Sequence, residues 1–567
     1  MIDVPVGVGS EHWVTVAPER TVLVIGHNIT TMTRLLDVLP AFDSDFRVQV
    51  VASWSGTDPF HRGLKEAFDE LGIVVMPWDQ AIRTRFDLAI TASHHGGLTD
   101  TNAPLVILSH GIGYTKNSPG NRKPETGNRK PETGNRKPET GNRKPETFGL
   151  SPQWVLYNGK PIAEALVLSH PEQLARLEAI AAEAADTAVI AGDPCYDRML
   201  ASLDRRNRYR RAFGAIGDRK LIVLSSTWSP DSLLGTWPDL TRQLLAELPV
   251  DEYQLAAIVH PNIWQGHGSW QVRTWLADSV RAGLTLIPPL EGWRAALIAA
   301  DCVIGDNGAT TCYGAALGRP TLLAAFPSDN VAAGSPVDAL GRIAPRLDNR
   351  RPLREQIDEA ISRHSVEKFQ AVTDLVTSEP LESVRLLRSV FYRVLGLPEP
   401  AGEPILPPIP LDGLPATPPR PTTARVRVEF GSGGARVVRY PAEVQAHALF
   451  PAVTDDHHLV SHIDHPGRAL RSNADVLFCY EAELDEPAEQ WLSGTRATCE
   501  IIAVVSSDRT LLRTDDGQHA EFVGLAPDVY ASVAYEWMSS GRSLSDLATG
   551  ITVHVGQRSD HVTVRVW

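Results

Sequence analysis

The sequence predicts an α/β protein with two Rossmann-like domains followed by a β-rich C-terminal domain. Before residue 397, short apolar runs alternate with amphipathic helical segments, which is typical of βαβ units and a parallel sheet. A proline-rich segment at 397–423 interrupts that pattern. Beyond it, apolar and polar residues alternate as they do in half-buried strands.

The composition indicates a soluble protein of several domains. A chain of 567 residues is longer than one hydrophobic core accommodates, and 43% of its residues are hydrophobic. The net charge of −14 argues against a general nucleic-acid-binding protein, which would carry a basic surface. No stretch approaches the length of a membrane span. The N-terminal residues lack the basic and apolar regions of a signal peptide, so we expect none.

Cysteine usage indicates a reducing compartment. None of the cysteines forms a CxxC pair, so we predict neither a disulfide framework nor a zinc site. We therefore expect a cytoplasmic protein. The cysteines are Cys195, Cys302, Cys312, Cys479 and Cys499.

The first predicted domain spans residues 1–185. Histidines directly follow three of its predicted strands, at His27, at His94-His95 and at His110. In a doubly wound sheet the carboxyl ends of the strands meet at the ligand-binding edge, so these histidines are expected there. The predicted strands are Thr21–Ile25, Arg47–Ala52, Ile73–Met76, Phe86–Thr91, Leu105–Ser109 and Trp154–Tyr157, with a helix at His61–Leu71.

The heptapeptide GNRKPET is repeated four times between Gly120 and Thr147. The repeat has no apolar positions for a coiled coil, and its glycine and proline exclude a continuous helix. We predict a flexible polar insertion in which each copy carries a net charge of about +1. The alternative is a basic tether near the site that attracts an anionic polymer.

The second predicted domain spans residues 186–396, and its most informative unit is Ala299–Pro327. This unit reads as a strand, the loop GDNGATT, a helix of small residues at Cys312–Leu317, and a second strand. Gly305 and Gly308 allow backbone N–H groups to face a ligand, and a helix N-terminus favours an anion. The alternative is an ordinary capped turn. Ala188–Ala191 is predicted to continue the first sheet, and the other strands of the second sheet are predicted at Lys220–Leu224, Tyr253–Val259 and Leu284–Ile287.

The remaining chain is predicted to hold a linker and an accessory domain. Leu397–Thr423 contains ten prolines, which predicts a semi-rigid extended linker. Residues 424–567 predict a β sandwich or small barrel. His457, His458 and His462 have no carboxylate or cysteine at ligand spacing in the sequence, so we predict surface histidines.

These motifs resemble a GT-B fold transferase, and most of all the CDP-glycerol glycerophosphotransferase family, which builds teichoic-acid-type polymers. Five elements agree with the family pattern in order and rough spacing, over roughly residues 90 to 330. They are SHGIGYTK with His110 and Gly111, GDPCYD at 192–197, Ser226-Thr227-Trp228, His260-Pro261, and Ala300–Leu322.

The chain departs from the family pattern at two places. Cys195 stands where the family has a basic residue. Asn307-Gly308-Ala309 replaces Tyr-Ser-Ser and is closer to the DSGG loop of UDP-N-acetylglucosamine 2-epimerases, although the acidic pair that follows that loop is absent here.

The resemblance implies a role for each candidate residue. His110 would take the proton of an acceptor hydroxyl, and His260 would donate a hydrogen bond to the donor's phosphates. Candidates on the acceptor side are His27, Gly111 and Lys116. Donor-binding candidates are Ser226, Thr227, His260, Asp306, Asn307, Gly308, Thr310 and Thr311.

The leading hypothesis is a transferase that moves a glycerophosphate, polyol-phosphate or glycosyl group from a nucleotide-diphosphate donor to a hydroxyl acceptor. No DxD pair follows the carboxyl end of a predicted strand, so we expect neither a metal nor another cofactor. The resemblance implies a polymer or lipid-linked acceptor and, with it, peripheral association with the inner face of the plasma membrane. No nucleic-acid partner is expected.

Two other functions stay open at this point. The first is a non-catalytic GT-B scaffold that binds a nucleotide-linked ligand or partner. The second is a nucleotide-sugar epimerase or hydrolase.

Overall fold

The computed structural model describes residues 15–61, 63–109, 111–117, 147–495 and 498–567. Two parallel sheets and a closed barrel follow one another along the chain. This order confirms the predicted α/β class and the β-rich third domain. The candidate base His110 and repeat residues 120–146 lie outside the described residues.

The first sheet is parallel, and its order places the first strand inside the sheet. Its strands and the adjoining hairpin are β1 (Arg20–Ile25), β2 (Val48–Ser53), β3 (Leu88–Thr91), β4 (Leu105–Ile107), β5 (Leu156–Tyr157), β6 (Lys160–Pro161), β7 (Ala165–Leu168) and β8 (Ala188–Ile190). The strand order is β2-β1-β3-β4-β7-β8, with β5 and β6 forming a separate hairpin. The helices are α1 (Ile29–Val38), α2 (Leu64–Leu71), α3 (Trp78–Ala81), α4 (Pro152–Val155) and α5 (Pro171–Ile180).

The second sheet is also parallel. Its strands are β9 (Lys220–Ser226), β10 (Tyr253–Val259), β11 (Thr285–Ile287), β12 (Cys302–Gly305) and β13 (Thr321–Leu323), in the order β11-β10-β9-β12-β13. The helices are α6 (Pro194–Leu200), α7 (Arg206–Ala212), α8 (Leu233–Thr236), α9 (Leu240–Glu247), α10 (Pro261–His267), α11 (Ser269–Trp275), α12 (Ala277–Arg281), α13 (Trp293–Ala299), α14 (Ala309–Ala316), α15 (Pro336–Ile343), α16 (Leu353–Ser362), α17 (Gln370–Val376) and α18 (Ser383–Leu395).

The C-terminal region is a closed barrel of mixed strand direction. Its strands are β14 (Thr423–Gly431), β15 (Gly434–Pro441), β16 (His458–His462), β17 (Val476–Tyr480), β18 (Ile501–Val505), β19 (Arg509–Thr514), β20 (His519–Val523), β21 (Ile551–Val555) and β22 (Arg558–Val566). The order is β14-β15-β21-β22-β20-β19-β18-β17-β16, and β14 pairs with β16 to close it. The helices are α19 (Arg468–Ser472), α20 (Ala488–Gly494) and α21 (Tyr530–Ser539).

Two predicted strands of the first domain are not formed. Only Val75 of the predicted strand Ile73–Met76 pairs, in a single bridge to Ala52. At Trp154–Tyr157 the chain instead forms the end of α4 and a hairpin that turns at Asn158 and Gly159, both at positive φ. An Asn-Gly pair favours this tight turn, so the sequence did contain the signal for a hairpin.

The last helix of the second predicted domain packs on the first domain. The apolar face of α18 shares a buried core with strands of the first sheet, through residues such as Leu387 and Phe391. Arg20 Nε donates to the carbonyl of Leu395 at 2.7 Å. The strand β8 also lies in the first sheet, beyond the boundary predicted at 185. The domain boundary therefore differs from the predicted one, because the chain crosses back after the second sheet.

The proline-rich segment lies along the second domain instead of spanning a gap. Ile409 is 3% exposed within the core of that domain. Its N–H donates to Ser202 Oγ at 3.1 Å, and its carbonyl accepts from Tyr209 Oη at 2.9 Å. The extended conformation was predicted, but the packing that fixes it is tertiary.

The prediction of surface histidines in the barrel is wrong. His457, His458 and His462 are each less than 9% exposed. The strand β16 carries the latter two histidines and is fully buried. It has a hydrogen-bonded strand on each side, and hydrophobic core residues cover both of its faces. His462 Nε2 lies 2.8 Å from Glu483 Oε2, a pairing that the sequence does not reveal.

A buried ion network joins the two Rossmann-like domains. Asp37 of α1 accepts hydrogen bonds from Arg198 at 2.6 Å and from Arg294 at 2.8 Å. Arg34 lies 3.9 Å from Asp37 and 3.9 Å from Asp193. Burial raises the pKa of Asp37, but the guanidinium groups around it outweigh burial and hold that pKa below its ordinary value. The carboxylate is therefore charged and supports the arginines of both domains.

We predict that Asp37→Asn lowers the free energy of unfolding by about 3–5 kcal/mol, because the substitution leaves buried guanidinium groups without a counter-charge. Urea denaturation measures this change. The matched control is Glu382→Gln, which removes a surface pair with Arg385 and should change stability by less than about 1 kcal/mol. Equal effects of the two substitutions would contradict the prediction.

Candidate functional site

The segment after β4 crosses from the first domain to the second. The carbonyl of Thr115 accepts from Ala332 N at 2.9 Å, and Asn117 N donates to the carbonyl of Asn330 at 3.0 Å. A Cβ placed on Gly111 would lie 3.7 Å from Ala309 Cβ, at the start of α14. The carboxyl edge of the first sheet thus meets the loop between β12 and α14.

Asp306 organises that loop from inside. Its Oδ2 accepts from Thr227 N and Thr227 Oγ1, each at 2.8 Å, and from Leu233 N at 3.0 Å. Its Oδ1 accepts from Gly308 N at 3.1 Å. Burial raises the pKa of Asp306, and these hydrogen bonds oppose that rise. The carboxylate is fully buried, so it stabilises the loop and does not face a ligand.

Gly308 is required for close approach of two loops. A Cβ at this position would lie 2.6 Å from Thr227 Cγ2, closer than real contacts allow. Thr310 is partly exposed at the first turn of α14. Thr311 is buried, and its hydroxyl packs against Gly305. This placement does not fit the predicted contact between the Thr311 hydroxyl and a diphosphate.

The loop after β9 is held by its own hydroxyl groups. Ser226 Oγ donates to the carbonyl of Thr227 at 2.9 Å and accepts from Leu234 N at 3.1 Å. The Thr227 hydroxyl donates to Asp306. Both side chains therefore shape the loop, and the loop presents Trp228 at 45% exposure.

His260 caps α10 beside this loop. Its Nδ1 accepts from Asn262 N at 3.1 Å, and its backbone N–H donates to the carbonyl of Ser226 at 3.1 Å. An accepting Nδ1 indicates the neutral tautomer with the proton on Nε2. In that tautomer His260 can donate a hydrogen bond, as the sequence predicts for its role toward phosphate.

Lys116 reaches the donor side of the interface. Its Nζ donates to Asn307 Oδ1 at 3.1 Å, and Asn307 Nδ2 donates to the carbonyl of Pro327 at 3.1 Å. Burial lowers the pKa of Lys116, and the charge of Asp306 opposes that shift. The sequence placed Lys116 on the acceptor side; the structure places its ammonium group on the loop that starts α14.

His27 and His94 follow strands β1 and β3 at the carboxyl edge of the first sheet. His27 is 2% exposed, and a Cβ on Gly96 would lie 2.8 Å from its Nε2. Burial lowers the pKa of His27 to about 4. His94 packs against the rings of Tyr114 and Phe148. His27 is thus a neutral side chain at neutral pH, and His94 is the histidine that contacts Tyr114 in the segment leading to α14.

Sequence reasoning missed Phe60, which lies at the interface beside the candidate site. It lies in the loop after β2, and its ring centroid is 5.3 Å from that of Trp228 in an edge-to-face contact. No motif surrounds Phe60 in the sequence, and only the packing of the two domains reveals the contact.

Two features are absent from the part of the chain that the structure describes. No group of three or more His, Cys, Asp or Glu side chains in this part of the chain is placed to hold a metal ion. No described helix is both long and apolar enough to cross a membrane.

Several solved structures are similar to part of this chain. A structure of the wall teichoic acid polymerase TagF is 13% identical, with a TM-score of 0.46, covering 67% of this chain and 90% of the polymerase. A glycosyltransferase from Rickettsia africae is 11% identical, with a TM-score of 0.36 and coverage of 66% and 98%. The UDP-GlcNAc 2-epimerase from Neisseria meningitidis is 10% identical, with a TM-score of 0.37 and coverage of 66% and 99%. No protein-family model and no curated protein matches the sequence. Since these identities are low, what the chain does must be inferred from its own residues.

We predict that Asp306→Asn destabilises the protein by about 2–3 kcal/mol, because an amide NH₂ would face N–H groups that now donate to a carboxylate oxygen. Thermal unfolding measures the change. Asp329→Asn is the matched control, since Asp329 is exposed in the loop after β13. A stability loss no larger than that of the control would refute the role given to Asp306.

We predict that the buried His27 lowers the free energy of unfolding in mild acid. Its pKa is about 4 in the folded protein against 6.5 in the unfolded chain, so the unfolded state binds more protons between these values. Above pH 6.5 His27 causes no loss of stability. As the pH falls from 6.5 toward 4, the free energy of unfolding decreases, and the decrease due to His27 is about 2 kcal/mol at pH 5.

Unfolding of the wild type and of His27→Gln should therefore be compared at pH 7.5 and pH 5. The stability difference between the two proteins should shift by about 2 kcal/mol in favour of the variant at pH 5. A difference that does not change with pH would show that His27 is not held neutral by burial.

Proposed function

We propose that this chain is a GT-B-type transferase that moves a glycerophosphate, polyol-phosphate or glycosyl group from a nucleotide-diphosphate donor to a hydroxyl acceptor. The observation that carries the proposal is the contact of Lys116, from the first domain, with Asn307 in the loop that starts α14 of the second domain. This contact puts an ammonium group and a helix N-terminus at one place between two parallel-sheet domains.

The electrostatics of that place favour an anion. The N-terminus of α14 carries partial positive charge and N–H groups without intrahelical acceptors. The Lys116 ammonium group has three hydrogens to donate, and its bond to Asn307 goes to a neutral amide. The nearby carboxylate of Asp306 is turned toward Thr227 and Leu233. A diphosphate supplies the negative charge and the acceptor oxygens that this arrangement favours.

The transfer step follows from these groups. The acceptor oxygen bonds to the phosphorus or anomeric carbon of the transferred group, and the bond from that atom to the nucleotide's phosphate oxygen breaks. The hydroxyl proton passes to His110, the base that the family resemblance implies. The leaving nucleotide keeps the electron pair, and Lys116 with the His260 Nε2–H stabilises its charge. These groups could supply the positive charge that a bound metal supplies elsewhere.

The family resemblance supports a polymer or lipid-linked acceptor. Such an acceptor would bring the protein to the inner face of the plasma membrane as a peripheral protein. In its most specific form, the proposal is that the chain acts as a CDP-glycerol glycerophosphotransferase. Its donor recognition would differ from that family's at Asn307-Gly308-Ala309.

The first test is a thermal-shift titration with CDP-, UDP-, GDP- and ADP-linked donors, because a ligand that binds the native state raises its melting temperature. One nucleotide class should give a concentration-dependent shift. Lys116→Gln should weaken that binding about tenfold or more, as expected for loss of a hydrogen bond to a charged group. Lys160→Gln, at an exposed lysine of the hairpin, is the matched control.

The outcomes separate the three functions. With the right donor and an acceptor, His110→Ala and His260→Ala should abolish most turnover while the protein stays folded. Binding without turnover in the wild type would favour the scaffold. Conversion of the donor without any acceptor would indicate an epimerase or hydrolase. No thermal shift with any donor in a folded sample would overturn the proposed donor site.

A further inference from the structure

Two aromatic rings, one from each Rossmann-like domain, meet at the edge of the candidate donor site. The centroids of Phe60 and Trp228 are 5.3 Å apart with an interplanar angle of 63°. A Cβ on Gly266 would lie 3.6 Å from Phe60 Cε1, so α10 borders the pair. Trp228 is nevertheless 45% exposed. An edge-to-face contact engages one face of one ring, which leaves aromatic surface open to solvent.

The backbone that carries Trp228 is held rigidly. Thr227 is bonded to Asp306 through both its N–H and its hydroxyl, and Ser226 Oγ accepts from Leu234 N. Ser232 Oγ donates to the carbonyl of Ser229 at 2.7 Å within the same loop. A rigid loop that exposes a large aromatic side chain is preorganised for binding, because little further entropy is lost when a ligand packs on it.

Trp228 is also at the right separation from the anion site. Thr227, its neighbour in sequence, packs directly against Gly308 at the start of α14. Adjacent Cα atoms are about 3.8 Å apart, so the indole lies on the order of 10 Å or less from that loop. A nucleotide spans a similar distance between its diphosphate and its base. The two side chains that meet here are uncharged and aromatic, which suits a neutral heteroaromatic ring.

We propose that Trp228, supported by Phe60, is the stacking surface for the nucleobase of the donor. The inference rests on the proposed function, since the diphosphate at α14 fixes where the base falls. Stacking needs a planar ring and tolerates different bases, so this surface supplies affinity for the nucleoside part. Because Phe60 comes from the first domain, a bound base would contact both domains.

The experiment measures dissociation constants by calorimetry for a nucleoside diphosphate of the class that binds and for inorganic pyrophosphate. Trp228→Ala should weaken nucleoside diphosphate binding by about fivefold or more, and pyrophosphate binding by less than about twofold. Phe60→Ala should act in the same direction with a smaller effect. Trp228→Phe should restore most of the affinity, because it keeps an aromatic face.

Trp270→Ala is the matched control, since Trp270 is 74% exposed on α11. It should leave both affinities unchanged. If Trp228→Ala weakened the binding of pyrophosphate and of nucleoside diphosphate equally, the inference would be overturned. The aromatic pair would then serve to hold the two domains together. Unchanged nucleoside diphosphate binding would also overturn it, while the donor site would stand. Failure of the wild type to bind either ligand would overturn both the inference and the proposed donor site.

Discussion

The buried carboxylate of Asp37 is the interaction on which the geometry of the interface depends. Asp37 lies on α1, the helix that follows the carboxyl end of β1. Its carboxylate accepts hydrogen bonds from Arg198 and Arg294 of the second domain. Arg34 of the same helix extends the network to Asp193. A buried charge without its partner is unfavourable by several kcal/mol, on the order of 3–5 kcal/mol. The network therefore fixes the two walls of the interface relative to each other.

This network and the candidate donor site differ in the partners of their charged side chains. In the network, the guanidinium groups face the carboxylates of Asp37, Asp193 and Glu291, so charges of opposite sign are already paired within the described chain. The arginines hold the pKa of Asp37 below its ordinary value, whereas burial raises the pKa of Asp193 and of Glu291 although the arginines oppose that rise. Lys116 instead donates to the neutral side-chain amide of Asn307, beside the N-terminus of α14.

Strand periodicity predicted most of the two parallel sheets, because buried strands read as short apolar runs between turn residues. Tyr253–Val259 was predicted with its bounds as observed. The strand β7 was missed because it directly follows the hairpin of β5 and β6, and the core position of α18 depends on contacts between distant residues. At the site, glycines and hydroxyls indicated the loop, whereas the inward turn of Thr311 and the reach of Lys116 are set by tertiary packing. No local pattern encodes those directions.

Cys195 is a position where the surroundings of a side chain depend on residues far away in the sequence. Cys195 follows the cap of α6, where a basic residue is expected by resemblance. Arg294 Nε donates to its sulfur at 3.3 Å, so a guanidinium group reaches this position from α13 instead. Burial raises the pKa of the Cys195 thiol to about 11, which keeps it neutral beside the arginine. Position 195 is therefore a buried thiol in contact with a guanidinium group from a distant helix, a contact that the local sequence pattern does not reveal.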